Sequence, residues 1–90
     1  MIPVLITTKH RGVFAGLVPD DQDMNAKTMG LKEARCAIYW ATKKGVAELA
    51  SIGPNDSSTI GASATIEAIH DITAVWSIST EAWSKWSSHS

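Results

Sequence analysis

The sequence predicts an α+β fold: a small, bent, mostly antiparallel and barrel-like β-sheet with a short inserted helix and a C-terminal helix. Three observations predict it. Short runs of β-branched and aromatic residues recur along the chain, bounded by glycine, proline or polar clusters. A stretch of helix-forming residues, Val46-Ala47-Glu48-Leu49-Ala50, closes on Gly53-Pro54. Near the C-terminus Ser79 or Thr80 can cap a second helix that places Trp83 and Trp86, three residues apart, on one face.

In chain order, Pro3 to Thr8 reads as a strand and Lys9-His10-Arg11-Gly12 as a tight turn. Val13 to Val18 reads as the returning strand, and Gly16 within it suggests a bend or bulge. Pro19 to Asp23 is a loop by composition. Lys27 to Leu31 is expected to form a short strand. Lys32-Glu33-Ala34-Arg35 has helix-forming composition, but Cys36 to Trp40 favours a pleated surface, so a separate strand is expected over 35–40. Lys44 to Ser51 reads as the inserted helix and Asn55 to Ser63 as a loop. Ala64 to Glu67 and Asp71 to Ile78 read as strands, the latter with Ile72, Ala74, Trp76 and Ile78 at period two. Glu81 favours the start of the last helix.

Ninety residues form one domain, 1–90. A chain this short buries only about 60 % of its unfolded surface, so association into a homo-oligomer is expected. The composition, 44 % hydrophobic and 19 % charged, is that of a globular chain rather than a disordered one. A net charge of −1 argues against binding genomic nucleic acid or an anionic membrane through bulk electrostatics. The single cysteine, Cys36, excludes an internal disulfide framework and fits a reducing compartment. No apolar run approaches the ~20 residues of a membrane span, and no signal-peptide pattern opens the chain. A cytoplasmic location follows as the expectation.

The chemistry-bearing residues fall into four groups. Lys9, His10 and Arg11 at a hairpin tip form either a solvated turn or an anion-binding one, with arginine the planar fork and lysine the point charge. Arg35 shares a strand face with Ala37 and Tyr39; it could clamp a phosphate or pair with Glu33 or an aspartate of the 20–23 loop. Tyr39 and Trp40 could be core, subunit interface or a stacking platform for a base, whereas Trp83 and Trp86 are expected to dock the last helix on the sheet. Ser57, Ser58 and Thr59 could read polar edges of a ligand. Lys43 and Lys44 precede the inserted helix and read as solvated lysines, or as a second anion contact.

Enzyme signatures are missing: there is no Walker-type loop, nucleophile elbow or paired-histidine zinc motif. His10, His70 and His89 lack ligand spacing, so neither metal nor cofactor is expected. Cys36 in its apolar run reads as a small core residue rather than a nucleophile served by His10.

The segments Gly12 to Leu17, Asp23-Met24-Asn25 and Leu31 to Ala34 resemble, over about 25 residues, the strand-loop-strand pattern of Sm-like and SH3-like small barrels, in which a glycine lets a strongly bent strand close. The order His10-Arg11-Gly12-Val13-Phe14-x-Gly16, Ala34-Arg35-x-x-Ile38-Tyr39-Trp40, Gly45-x-x-x-Leu49-Ala50-x-x-Gly53-Pro54, Ile60-Gly61 and Asp71-Ile72-Thr73 resembles a family of small uncharacterised phage and prophage proteins. That resemblance implies a viral protein at work in a bacterial cytoplasm and transfers no catalytic residue.

The expected function is therefore that of a non-enzymatic phage anti-defence protein. It would hold a nucleotide immune signal, of cyclic oligonucleotide or ADP-ribose type, with Lys9, His10, Arg11, Arg35, Tyr39, Trp40, Ser57, Ser58 and Thr59. The rivals are an anti-CRISPR-type inhibitor occluding a host defence protein, with Asp20-Asp21-Gln22-Asp23 as its contact, and a minor structural or regulatory phage protein.

Overall fold

A computed structural model describes residues 1–9, 12–39, 46–54 and 58–89. The architecture is a single curled antiparallel sheet with two short helices, mostly β. Its strands are β1 (Ile2–Thr8), β2 (Val13–Val18), β3 (Met29–Tyr39), β4 (Thr59–Ile60), β5 (Ala64–Ile69) and β6 (Ile72–Ser77); the helices are α1 (Val46–Ser51) and α2 (Thr80–Ser88). The sheet order is β4-β3-β2-β1-β6, with β5 following β4 along the same edge of β3.

The curl follows from the connections. β5 pairs with β3 at one side of the sheet and β6 pairs with β1 at the other, yet only His70 and Asp71 separate them. A two-residue link can join opposite edges only if the sheet bends round until they meet. Asp71 takes a left-handed φ of 56° there, and its carbonyl accepts the Lys9 N–H at 2.9 Å. The sheet nevertheless stays open: no ladder joins β5 to β6 among the described residues. The small-barrel resemblance thus extends to the bent strands and not to closure.

Both faces of the central strands are buried. Leu5, Val13, Ala15 and Ala37 meet Leu49, Ile78, Ala82 and Trp86 on the convex side under the helices. Val4, Ile6, Val18, Met29, Leu31, Ala34 and Ile69 fill the other side, where no helix contributes. A sheet can bury that face without a second layer only by curling over it. Val4-Leu5-Ile6 is an unbroken apolar run because β1 is covered on both faces.

β3 is one strand of eleven residues, correcting the expectation of separate strands over 27–31 and 35–40. The two halves are joined through a bulge. Leu17 lies opposite Lys32 while Ala15 lies opposite Arg35, a shift of one residue, and Glu33 absorbs it at φ 50°. The extra residue flips the alternation: Leu31 and Ala34, three apart, reach the same cluster, and Ala37 reaches the other. That flip explains why 31–35 mimics helical spacing. Gly16 makes the bulge possible, since a Cβ there would lie 2.9 Å from the Leu31 Cβ and 3.1 Å from the Lys32 carbonyl oxygen.

α1 has only six residues, too few to persist alone. Each of its last four carbonyls nonetheless has a partner. Glu48 accepts from the Ile52 and Gly53 N–H groups, Leu49 from the Trp86 indole, Ala50 from the Ser79 N–H and Ser51 from the Ser79 hydroxyl. Gly53 closes the helix at φ 97°, where a Cβ would also crowd the Ala82 carbonyl at 3.0 Å. Ser79 is shared: its hydroxyl also accepts the Ala82 N–H as the N-cap of α2. Trp86 is fully buried and Trp83 partly buried against the same cluster, so the pair docks α2 as the three-residue spacing predicts.

Candidate functional site

One end of the sheet brings together four of the positions singled out in the sequence: Lys9, Tyr39, Ser58 and Thr59. Thr8 and Gly12 flank the β1–β2 turn, the Thr8 N–H donating to the Gly12 carbonyl at 2.9 Å and the Gly12 N–H to the Thr8 hydroxyl at 3.0 Å. Phe14 lies opposite Cys36, so the last residues of β3 run toward that turn. Tyr39 ends β3 and lies opposite Thr59, the first residue of β4. Lys9, the Tyr39 backbone, Ser58 and Thr59 therefore sit at a common end.

The individual side chains differ in availability. Lys9 and Thr59 are exposed, and Ser58 is buried. His10, Arg11, Trp40 and Ser57 lie outside the described residues, as do Lys43, Lys44 and the side chain of Tyr39.

Arg35 is turned elsewhere. It shares the convex face with Ala37, as its strand position predicts, and its guanidinium is engaged by main-chain oxygens. Nε donates to the Gly61 carbonyl at 2.8 Å; Nη1 donates to the Trp86 carbonyl at 2.8 Å and the His89 carbonyl at 2.6 Å. Three N–H donors thus close the C-terminal end of α2 and fasten the strand-to-strand segment after β4. Neither Glu33 nor the 20–23 loop is among these partners.

The sequence reading missed the neighbours that the β5–β6 turn brings to the β1–β2 turn. Asp71 binds the Lys9 backbone and Thr73 and Thr7 pair their hydroxyls at 2.9 Å, while His70 Nδ1 turns to the Thr28 hydroxyl, just before β3, at 3.3 Å. An aspartate in a two-residue turn was the available signal, because aspartate tolerates the left-handed region.

Cys36 is half-buried, and burial pushes its thiol above the ordinary range. A thiol held protonated is a poor nucleophile at neutral pH. No group of three His, Cys, Asp or Glu side chains converges on a metal-sized point among the described residues, and none of their helices is long and apolar enough to cross a membrane.

Against known proteins, the model of a domain of unknown function, DUF6948, matches residues 1–86. The chain belongs to the DUF6948 family. No curated protein and no solved structure matches it. The DUF6948 match covers every described strand, α1, and α2 as far as Trp86, so the β1–β2 turn and the β3–β4 end lie within the family's domain, while the His89 carbonyl that Arg35 binds lies beyond it.

Proposed function

We propose that this DUF6948 domain is a non-enzymatic phage anti-defence protein that sequesters a nucleotide immune signal, of cyclic oligonucleotide or ADP-ribose type, in the cytoplasm of a bacterial host. The observation that carries the reading is the convergence of the β1–β2 turn with the end of β3 and the start of β4. That end of the sheet holds Lys9, the Tyr39 backbone, Ser58 and Thr59, and in the sequence His10-Arg11 follow Lys9, Trp40 follows Tyr39 and Ser57 precedes Ser58. Phosphate needs the cations, a base the aromatics, and polar ligand edges the hydroxyls. Arg35 Nε binds the Gly61 carbonyl, two residues beyond Thr59, and in this reading Arg35 joins Lys9 and Arg11 as a cation of the site.

The test is a thermal-shift screen against cyclic dinucleotides, cyclic trinucleotides and ADP-ribose derivatives, with mass spectrometry of the recovered ligand. A ligand at 100 times its Kd stabilises the fold by about 2.7 kcal/mol. The expected result is a shift with the ligand returned intact, lost in Lys9→Ala/Arg11→Ala without a change in the ligand-free melting temperature. Conversion of the ligand would make the protein an enzyme. No shift across the panel would transfer the reading to occlusion of a host protein by the Asp20-Asp21-Gln22-Asp23 loop, whose three aspartates are exposed, Asp20 being paired with the N-terminal ammonium at 2.8 Å.

A further inference from the structure

The free edge of β6 has the chemistry of a strand that pairs with another chain. β6 ends the sheet, hydrogen-bonded to β1 on one side and to no other strand among the described residues. Its main-chain donors and acceptors on the outer side are therefore open. Natural edges are defended by charge, proline, bulges or brevity. β4 has two residues, and β5 carries Glu67 with an irregular register between Leu31 and Met29. β6 has one irregularity, at Thr73, and then runs regularly: Ala74, Val75, Trp76 and Ser77 lie opposite Thr7, Ile6, Leu5 and Val4. From Ile72 to Thr80 there is neither charge nor proline.

The side chains along this edge are uncharged, and none of them is fully buried. Trp76 is 36 % exposed on the helix-bearing face. On the opposite face Val75 and Ser77 border a cleft of about 310 Å³, whose other walls include Ile2, Val4 and Met24. Ile2 and Met24 are themselves exposed.

We infer that β6 is a self-association edge, pairing antiparallel with β6 of a second copy about a two-fold axis through Trp76. The second copy is favoured because the segment is complementary to itself. With Trp76 on the axis, the two indoles lie across from each other, an aromatic cross-strand pair. Val75 of each chain lies opposite Ser77 of the other, on the face that carries the cleft, so each valine is offered to the apolar wall of its partner. No charge meets a like charge within the pair. Antiparallel pairing of identical strands is also the isologous solution that closes as a dimer rather than growing into a filament. β6 begins beside the β1–β2 turn, but the pairing centres on Trp76, opposite Leu5 farther along the strand, and the inference does not depend on the nucleotide reading.

Light scattering behind size exclusion, at rising concentration, tests it on the full chain. The expected result is a dimer that becomes monomeric in Trp76→Lys with an unchanged circular-dichroism spectrum. Ser77→Lys, on an already exposed side chain, gives the same loss if the tryptophan variant fails to fold. Ile38→Lys, exposed on β3, leaves the dimer intact. In a Cys36→Ser background, Trp76→Cys forms a disulfide-linked dimer on mild oxidation. A native chain that stays monomeric throughout, a dimer that survives both lysines, or capture of a foreign β-strand peptide without self-association overturns the inference.

Discussion

Trp86 donates its indole N–H to the carbonyl of Leu49 at 3.0 Å, so the last helix completes the hydrogen bonding of the first across 37 residues of chain. The bond is fully buried, and water cannot replace the donor. Trp86→Phe therefore leaves the Leu49 carbonyl unsatisfied and costs about 1–3 kcal/mol. Trp86→Ala adds a cavity and costs about 3–5 kcal/mol. Denaturant unfolding of the two variants checks the order; equal losses would mean that the hydrogen bond adds nothing to the packing.

The Arg35 clasp makes a second prediction, one that separates scaffolding from ligand binding. Three donors reach the carbonyls of Gly61, Trp86 and His89. Arg35→Ala should destabilise the ligand-free protein by about 2–3 kcal/mol, lowering its melting temperature by about 10–20 °C. Arg35→Lys recovers only part of this, because one ammonium cannot reproduce the fork. An Arg35→Ala variant with native melting temperature and no ligand binding would show that the residue serves the ligand alone.

The β3 bulge predicts opposite signs at two neighbouring positions. Gly16→Ala forces a methyl against Leu31 and the Lys32 carbonyl and should cost about 1–3 kcal/mol. Glu33 is exposed and left-handed, so Glu33→Gly relieves strain and should gain a few tenths to about 1 kcal/mol after its entropic cost. Paired melting curves check both; a loss at Glu33 would show that its side chain holds the bulge.

These residues also mark what was legible in the sequence. The capping serine, the Gly53-Pro54 stop and the Trp83/Trp86 face are local signals, and α1 and α2 were read from them. Gly16 announced a bulge, but its partner at Glu33 sits on another strand, and one inserted residue turns period two into apparent helical spacing. Pairing β5 with β3 rather than with β6, its neighbour in sequence, leaves no local trace, so the curl was hidden. At the site, residue types at the basic turn and the 57–59 segment were visible. The engagement of Arg35 was not, because main-chain carbonyls 26 to 54 residues away have no signature in sequence.

Cys36 supplies the pH prediction. Burial disfavours its thiolate, so its folded pKa lies above that of the unfolded chain. Between those two values the folded state binds more protons than the unfolded state, and stability must fall as pH rises. The stability is fully present below the unfolded thiol's pKa and is lost as pH climbs through the folded one, which places the decline on the alkaline side. Unfolding measured through that range should show the decline in the native chain, and Cys36→Ala should flatten it. Iodoacetamide offers an independent reading, because only the thiolate reacts. At mildly alkaline pH the folded thiol should be alkylated more slowly than the same thiol in denaturant. Equal rates would mean that Cys36 meets solvent freely and that β3 opens around it.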